Sequence, residues 1–440
     1  MTPDEMKSID EDSPEPTEVL VGRAGSAVAR SALHMLGGGY GRRVVVVAGK
    51  GNNGADGRAA AERLSRSGAR VTVFDAAEAP SRLPPSDLVI DAAFGTGFRG
   101  DYQAPQPAGA PVLAVDIPSG VDGLTGEADD GAVTATATVT FAALKPGLVL
   151  GSGPERTGPV ELVDIGLDVS RAHVHLVQDE DVGASLPPRS RESHKWRSAV
   201  LVVAGSPGMM GAPLLVARAA LRAGAGYVKL VVPGAGLEQM PSGSEVVGVQ
   251  VPAGGWAARV LEESARCKAV VVGPGLGREE GTLAEVRRLL AESPVPVVVD
   301  GDALAAVGGP LAVPAVLTPH AGEYERMTGA PAGPDRLGAA RGLASRFGAV
   351  ALVKGPTTVV ADPAGEVLVS VTGDARLATA GTGDVLSGVV AAFLAQGVDG
   401  VRAAALAAHV HGSAARLGPA WGMVAGDVVE LLPRWLSEHV

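Results

Sequence analysis

Two segments of the chain repeat one order of elements, and this repetition most strongly limits the folds that the chain can adopt. Each segment has an apolar run, a glycine-rich loop, an Ala-rich stretch and a second apolar run. The two are RRVVVVAGKGNNGADGRAAAERLSRSGARVTVF and RSAVLVVAGSPGMMGAPLLVARAALRAGAGYVKLVV. Strands that are buried on both faces have continuous apolar sequences, which is typical of parallel sheets. The repeated β–α–β order therefore predicts α/β architecture with helices on both sheet faces.

Further apolar runs of strand length occur in both halves of the chain. A polar segment with a Pro pair, LVQDEDVGASLPPRSRESHK, separates the halves. Because each half then has the size of one domain, we predict two three-layer α/β domains, a Rossmann-like one over residues 1–185 and a second over residues 186–440. The uncharged stretch 198–217 has the length of a membrane span, but Gly and Pro interrupt it, so we interpret it as a strand, a turn and a helix start.

Composition and charge exclude several classes of partner and location. The net charge is −11 and no long basic run occurs, which argues against a nucleic-acid partner. Cys267 is the single cysteine, so an intrachain disulfide cannot form, and the acidic first residues are unlike a signal peptide. We expect a cytoplasmic protein without a membrane partner. The Ala-rich helices suit a homo-oligomer, which we predict, but they suit a domain core equally well.

Glycine-rich and acidic loops follow the predicted strands of the first half. The loop GKGNNGADG precedes a helix, whose free N–H groups and positive dipole end suit a phosphate. Asn52, Asn53, Asp91, Asp116 and Ser119 lie in loops that meet at the carboxyl edge of a parallel sheet. They form an oxygen-rich set for a hard cation and a sugar hydroxyl. For one strand-end Asp alone, helix capping is the simpler interpretation.

The second half carries the motif TAGTGDVLSG, in which Asp384 opens an apolar helix. Gly381 to Gly383 leave N–H groups free to bind an oxyanion, and Asp384 can accept a proton from a nearby hydroxyl. Phosphoryl transfer to an alcohol requires this combination. An isolated Asp in the first turn of a helix is otherwise explained by the helix dipole. Further strand-end candidates are Lys354, Asp300, Asp302, His320 and Glu323.

The first half resembles the NAD(P)H-hydrate epimerase domain in EMKSIDE, GNNGADG, DAAFGTGFRGD and VDIPSGVDGLTG. Two features depart from the family. Ala55 replaces a usual Gly, and a shortened segment after EMKSIDE leaves open whether an N-terminal helical lid forms. The resemblance implies that Asp116 contacts substrate and handles protons, and that Asn53, Asp91 and Ser119 hold K⁺. It also implies a dinucleotide-binding set, namely Asn52, Asn53, Gly54, Ala55, Asp56, Gly95, Thr96, Gly97, Phe98, Arg99, Gly100, Asp101 and Asp116. Lys145 in ALKPG is a weaker candidate.

The second half resembles the ADP-dependent NAD(P)H-hydrate dehydratase of the ribokinase-like superfamily. The resemblance rests on GAPLLVARAALRAGAGYV, VVVGPGLG, VVVDGDAL, LTPHAGEYERMTG, LVKGPTTVV and ATAGTGDVLSGVVAAFLAQG, with Trp196 where Gly is common. It implies Asp384 as general base, ADP as co-substrate and Mg²⁺ at the phosphates. The implied substrate contacts are Ala212, Gly275, His320 and Asp384, and the implied nucleotide contacts are Lys354, Gly355, Pro356, Thr357, Thr358 and Gly383.

Together the two resemblances imply a bifunctional enzyme. Its first half would interconvert the R and S hydrates of NADH and NADPH, and its second half would dehydrate the S form while converting ADP to AMP and phosphate. A ribokinase-like small-molecule kinase, fused to a noncatalytic Rossmann-like binding module, is the alternative. The preference between the two hydrates and the choice between ADP and ATP are not determined by the residues.

Overall fold

The computed structural model describes residues 1–188, 190–239 and 245–440, which form two compact units. The units divide between His173 and Val174, which is earlier than the predicted boundary at residue 185. The difference has a physical cause, because Val174–Leu176 forms a strand that pairs with Val367–Ser370. Asp179–Ser185 then forms a helix that packs against the helices of the second unit.

The first unit is built on an entirely parallel six-stranded sheet with the order β2-β1-β3-β4-β5-β6. The central strands are apolar and almost wholly buried, as the continuous Val-rich runs predicted. The strands are Arg43–Ala48 (β1), Arg70–Asp75 (β2), Leu88–Ala92 (β3), Val112–Val115 (β4), Ala137–Phe141 (β5) and Val160–Val163 (β6).

Helices cover one face of this sheet, and irregular segments cover much of the other. The helices are Pro3–Glu11 (α1), Thr17–Leu36 (α2), Asn52–Arg66 (α3) and Gly153–Thr157 (α4). α2 and α3 pack against each other and against the central strands. On the opposite face, Leu83, Phe94, Tyr102 and Val133 come from loops and enclose a smaller apolar cluster. The EMKSIDE motif forms the helix α1, in which Met6 and Ile9 are buried, and the shortened segment after it is the connection to α2.

The second unit contains a ten-stranded sheet with the order β10-β9-β8-β11-β12-β13-β14-β15-β16-β7. The strands from β10 to β14 pair in parallel, whereas β15 pairs antiparallel with both β14 and β16. The strands are Val174–Leu176 (β7), Ala199–Val203 (β8), Tyr227–Val231 (β9), Val247–Gly248 (β10), Ala269–Val272 (β11), Val297–Val299 (β12), Ala315–Leu317 (β13), Val350–Val353 (β14), Thr358–Ala361 (β15) and Val367–Ser370 (β16).

A central helix organises the core of the second unit. The helices are Asp179–Ser185 (α5), Gly211–Arg222 (α6), Ala257–Ser264 (α7), Glu280–Glu292 (α8), Ala321–Thr328 (α9), Arg336–Phe347 (α10), Thr382–Ala395 (α11), Gly400–Arg416 (α12) and Ala425–His439 (α13). α11 contacts α6, α12 and the strands β8, β11 and β12. Its residues from Val385 to Ala395 are buried, because a helix that is apolar on every side is stable only inside a core.

The structure confirms the predicted α/β fold class with largely parallel sheets. The uncharged stretch that follows Ser198 forms β8, a turn and α6, as predicted. Within the described ranges, no helix has both the length and the apolarity needed to span a membrane. The loops that follow β1, β3, β4, β12, β13 and β14 lie at the carboxyl edges of the two sheets, where open α/β sheets collect ligands.

The close contact between α6 and α11 gives the first testable prediction. A β-carbon on Gly388 would lie 2.3 Å from the carbonyl oxygen of Val216 and 2.9 Å from Cβ of Ala219. Gly388→Ala should therefore lower stability by about 1–3 kcal/mol through overpacking. Gly342→Ala on α10 is the matched control, because that β-carbon meets no atom within 4 Å. The melting temperature of each variant is the measurement, and an unchanged or higher value for Gly388→Ala would contradict this account of the core.

Candidate active sites

A cavity of about 1180 Å³ opens at the carboxyl edge of the first sheet. Its walls come from the loops after β1, β3 and β4 and from α1 and α2. α1 contributes Met6 and Asp10, so the N-terminal helix forms one side of the cavity. The cavity is large enough for an extended, dinucleotide-sized molecule, since drug-sized ligands occupy about 300–1,000 Å³.

Most of the predicted dinucleotide-binding residues line this cavity. They are Asn52, Asn53, Asp56, Gly95, Thr96, Gly97, Phe98, Arg99 and Asp116. Gly54 and Ala55, at the start of α3, and Gly100 and Asp101, in the loop after β3, do not contribute to the wall. Gly54 instead packs against the backbone of Gly49, where a β-carbon would lie 1.9 Å from the carbonyl oxygen. The Arg99 guanidinium donates to the carbonyl of Phe98 at 2.7 Å and lies 3.6 Å from the Asp122 carboxylate.

A buried lysine holds the Asp116 side chain at the carboxyl end of β4. The Lys145 ammonium, 2% exposed, forms an ion pair with the Asp116 carboxylate, which is 16% exposed. Lys145 also donates to Thr140 Oγ1 and to the carbonyl of Phe141, each at 2.9 Å, and Thr140 Oγ1 donates to Asp116 at 3.1 Å. Asp116 has a φ of +68°, which costs a non-glycine residue energy and concentrates at functional sites. The structure therefore fixes this carboxylate in one position facing the cavity.

Two further acids face the same cavity. Asp56 lies in the first turns of α3 and is 7% exposed. Burial, and then the charges of Asp116 and Asp10, raise the pKa of Asp56 to about 8, so its carboxyl group is protonated at neutral pH. Burial and the charge of Asp116 also raise the pKa of Asp10. The cavity thus holds a protonated acid and an ion-paired carboxylate, a pairing that can divide acid and base roles.

The predicted cation ligands meet around the peptide of Phe94. Ser119 Oγ accepts from the N–H of Phe94 at 2.9 Å and donates to Asp91 at 2.7 Å, while Asn53 Nδ2 donates to the carbonyl of Phe94 at 2.8 Å. Asn53 Oδ1 is buried and has no hydrogen-bond partner within the described chain. Burial raises the pKa of Asp91 to about 6 against the hydrogen bonds from Ser119. Asn53 and the Asp91–Ser119 pair are thus linked through the Phe94 peptide, and their oxygen atoms are of the kind that suits a monovalent cation.

In the second unit, Asp384 lies in the first turn of α11, immediately after the glycine turn. The N-cap Gly381 has a φ of +91°, and the N–H groups of the first turn that follows have no partner within the helix itself. A β-carbon on Gly383 would lie 3.4 Å from the Lys354 ammonium, so that cation stands beside the turn. Burial, and then the charge of Asp300, raise the pKa of Asp384 to about 6. A carboxylate with this pKa is well matched to proton transfer near neutral pH.

The predicted nucleotide loop, Lys354 to Thr358, connects β14 with β15. Lys354 Nζ lies 2.9 Å from Asp300 and 3.9 Å from Glu323. Burial opposes its charge, but these two carboxylates raise the pKa of Lys354. The guanidinium of Arg336 donates to the carbonyls of Val353 and Lys354, each at 3.2 Å, and adds a second cation beside Gly355. Pro356 and Thr357 form the turn, and Thr358 begins β15 with its hydroxyl directed to the carbonyl of Gly355.

The other predicted substrate contacts lie at neighbouring strand ends. A β-carbon on Gly275, in the loop after β11, would lie 3.5 Å from Cβ of Ala212 in the first turn of α6, so these two residues meet. His320 is the N-cap of α9, where Nδ1 accepts from the N–H of Gly322 at 3.0 Å. Its Nε2 lies 3.5 Å from Glu323, which in turn is near Lys354. His320 therefore has a structural role in addition to the predicted substrate contact.

The sequence contains little indication that several of these residues belong to the sites. Asp10 belongs to the EMKSIDE motif, but it was not named as a site residue because the motif lies far from the glycine loops in the sequence. Thr140 and Ser387 belong to ordinary apolar elements. Lys145 was only a weaker candidate for a site residue, because a strand-end lysine is usually exposed. In the structure, its side chain is buried. Asp300 was a strand-end candidate and the motif DVLSG includes Ser387, but the sequence did not predict their contact, which spans 87 positions.

Comparison with known proteins agrees with this division into two sites. The family described as NAD(P)H-hydrate dehydratase matches residues 200–433, and the family described as YjeF-related protein N-terminus matches residues 17–83 and 75–147. The bifunctional NAD(P)H-hydrate repair enzyme Nnr of Moorella thermoacetica is 37% identical, over 97% of this chain and 94% of its own length.

Solved structures resemble the second unit. The ADP/ATP-dependent NAD(P)H-hydrate dehydratase of Bacillus subtilis, co-crystallised with ATP and Mg²⁺, is 32% identical with a TM-score of 0.56, and the match covers 61% of this chain and 99% of that one. A ribokinase-like superfamily protein of Enterococcus faecalis, 21% identical with a TM-score of 0.56 over 62% of this chain and 99% of that one, supports the fold alone. The chain belongs to the family of bifunctional NAD(P)H-hydrate repair enzymes.

Proposed function

We propose that the first unit interconverts the R and S hydrates of NADH and NADPH, and that the second unit dehydrates the S hydrate while ADP becomes AMP and phosphate. The observation that carries the second activity is the position of Asp384. It stands in the first turn of α11, beside the Gly381–Gly383 turn and the Lys354 ammonium. A base, free N–H groups and a cation at one place are what phosphoryl transfer to an alcohol needs.

In the proposed dehydration, Asp384 takes the proton from the hydroxyl of the hydrate as that oxygen bonds to the terminal phosphorus of ADP. The bond from that phosphorus to the bridging oxygen breaks, and AMP leaves with the electron pair. The N–H groups after Gly381 and the Lys354 ammonium stabilise the charge that develops on the phosphoryl oxygens. Phosphate then leaves the ring carbon with the C–O electron pair, and loss of a ring proton restores the dihydronicotinamide.

Magnesium would act through the nucleotide. Within the described ranges, no group of three or more His, Cys, Asp or Glu side chains is placed to hold a metal ion. The phosphate oxygens would therefore supply much of its coordination, as Mg²⁺ commonly requires. When bound, Mg²⁺ would neutralise phosphate charge. We assign the proton transfer to the Asp384 side chain and not to the ion.

Epimerisation requires a carbon–oxygen bond to break and re-form on the other face of the ring. We assign the leaving hydroxyl its proton from Asp56, whose pKa of about 8 keeps it protonated. Asp116, ion-paired with Lys145, accepts a proton from the incoming water. K⁺ fits the oxygen set of Asn53, Asp91 and Ser119, where it would supply a fixed positive charge and hold the loop after β3. We keep a cytoplasmic location and a homo-oligomeric state as predictions.

The dehydratase assignment predicts a large effect of Asp384→Asn. NADH formation from the S hydrate and ADP should fall at least about 100-fold, because the proton acceptor is lost while the shape is kept. For the unmodified chain, the rate should decline below about pH 6, since Asp384 must be ionised to act and its pKa lies there. Absorbance of the dihydronicotinamide product measures both effects.

Asp362→Asn is the matched control, because Asp362 lies in the β15–β16 turn, where its carboxylate accepts from the N–H of Glu366 at 2.9 Å. Its dehydration rate should equal that of the unmodified chain. Full activity of Asp384→Asn would refute the dehydratase mechanism. Accumulation of a stable phosphorylated alcohol, with no NADH, would favour a small-molecule kinase instead.

The epimerase assignment predicts that Lys145→Met impairs the first unit selectively. Without the ammonium, the Asp116 carboxylate keeps only the Thr140 hydroxyl as a partner and can turn away from the substrate. Epimerisation of the R hydrate should fall at least about 100-fold, and Asp116→Asn should do the same. Dehydration of pure S hydrate by the same variants is the internal control and should not change. An unchanged epimerisation rate in both variants would contradict the roles assigned to Lys145 and Asp116. A first unit that is only a binding module would leave the unmodified chain at the uncatalysed epimerisation rate.

If K⁺ binds at this site, epimerisation should depend on K⁺. Dehydration of the S hydrate should not depend on K⁺ bound there. Asn53→Leu removes the unpaired buried oxygen and should abolish the stimulation by K⁺. Rates in matched KCl and LiCl solutions are the measurement. Equal stimulation of Asn53→Leu and of the unmodified chain would place the ion elsewhere.

A further inference from the structure

Asp300 is a buried carboxylate at the carboxyl end of β12, and neither its burial nor its contacts could be inferred from the loop motif. Its side chain is 4% exposed. It accepts hydrogen bonds from Thr318 Oγ1 at 2.7 Å, from Ser387 Oγ at 2.7 Å and from the Lys354 ammonium at 2.9 Å. These three donors come from the end of β13, from α11 and from the end of β14. One carboxylate therefore joins four elements that meet at the candidate site.

The pairing is physically required once the acid is buried. An ionised carboxylate inside a protein is strongly destabilising unless it is hydrogen-bonded and paired with a cation. Although burial opposes its charge, Lys354 and the three hydrogen bonds hold the pKa of Asp300 below its usual value. Conversely, Lys354 keeps its charge at 18% exposure because Asp300 and Glu323 face it. Neutralising Lys354 would leave Asp300 buried without a cation, and neutralising Asp300 would leave Lys354 only the more distant Glu323 carboxylate, at 3.9 Å.

We propose that Asp300 is a positioning residue of the dehydratase site, which fixes the Lys354 ammonium for the nucleotide phosphates and fixes the first turn of α11 beside Asp384. The inference rests on the proposed dehydratase function. Ser387 provides the link to α11, since its hydroxyl lies within 3.1 Å of the carbonyl of Gly383 as well as 2.7 Å from Asp300. Asp384 is separated from Ser387 by less than one helical turn, so movement of that turn moves the base.

The same carboxylate influences the protonation of Asp384. The charged groups that face Asp384 are Asp300 from β12, Glu323 from α9 and Lys354 from β14. His411 on α12 also lies near Lys354, but burial lowers its pKa to about 4, so it is neutral at working pH. Asp300 and Glu323 disfavour a second negative charge at Asp384, and Lys354 favours it. Loss of the charge at Asp300 should consequently favour ionised Asp384 and shift its titration to lower pH.

Asp300→Asn tests the proposal, because it removes the charge and keeps the size of the side chain. The expected result is a rise of about tenfold in the KM for ADP, since Lys354 loses its charged anchor. The acidic limb of the pH–kcat profile should also move to lower pH by about one unit, the size of effect of one nearby charge. The measurement uses the full-length chain with S hydrate and ADP, over a pH range that extends from about two units below the pKa of Asp384, about 6, to pH 8.

Two control variants separate positioning from general stability. Asp362→Asn, the same substitution at the β15–β16 turn, should change neither the KM nor the pH limb. Ser387→Ala keeps the charge at Asp300 and should leave the pH limb in place. If Asp300→Asn does not fold, the double variant Thr318→Val and Ser387→Ala takes its place, because it removes two of the three hydrogen-bond donors to Asp300. The KM for ADP should then rise, and the acidic limb of the pH–kcat profile should not move.

The outcomes distinguish this inference from the proposed function. If the unmodified chain forms no NADH with ADP or ATP, the dehydratase function fails and the inference fails with it. If the unmodified chain is active but folded Asp300→Asn keeps its KM and its pH limb, Asp300 is only a structural residue. In the replacement experiment, an unchanged KM for ADP in the Thr318→Val and Ser387→Ala pair would overturn the inference in the same way.

Discussion

In each unit, a lysine and an aspartate at the carboxyl end of a parallel strand form an ion pair in which one partner is buried. Lys145 pairs with Asp116 in the first unit, and Lys354 pairs with Asp300 in the second. Because a buried charge without a partner is strongly destabilising, each pair commits the loops around it to one arrangement. The carboxyl edges of both sheets are therefore fixed by electrostatics as well as by apolar packing. The remaining site residues are arranged around these two pairs.

The lysine–aspartate ion pair has a different role in each unit. In the first, the paired aspartate itself faces the cavity, so the lysine orients the group that we assign to proton transfer. In the second, the paired aspartate lies behind the site, and the lysine faces the glycine turn and Asp384. This difference suits the proposed reactions. Epimerisation needs an acid and a base around a ring carbon, whereas phosphoryl transfer needs a cation next to the migrating group. A chain with both sites could use either hydrate epimer.

Much of the fold followed from the sequence because it depends on local pattern. The continuous Val-rich runs predicted β1, β8 and β11, and the glycine turns before α3 and α11 marked the places where those helices begin. The short strand β7 was not predicted, because Val174–Leu176 is stabilised by pairing with β16, almost two hundred residues away, and not by its own sequence. This strand also explains why the compact units divide before residue 185.

The sites were predictable only in part. Strand-end motifs made Asp116 and Lys354 candidates, and the glycine turn before α11 made Asp384 one, because such features are visible locally. The contacts that set their charge were not visible. Asp10 reaches the first cavity from α1, and Ser387 meets Asp300 across 87 positions. Protonation depends on such distant neighbours, so the pKa values of Asp56 and Asp384 could be obtained only from the folded chain.

The fate of the hydroxyl oxygen of the hydrate tests the central assignment most directly. If Asp384 deprotonates that hydroxyl for attack on the terminal phosphorus of ADP, then ¹⁸O in the hydroxyl must leave with the phosphoryl group. We predict that mass spectrometry of a complete reaction finds the label in inorganic phosphate, one labelled phosphate for each NADH formed. Label released into water, with unlabelled phosphate, would show that the hydroxyl departs without phosphorylation and would contradict the account of the second unit.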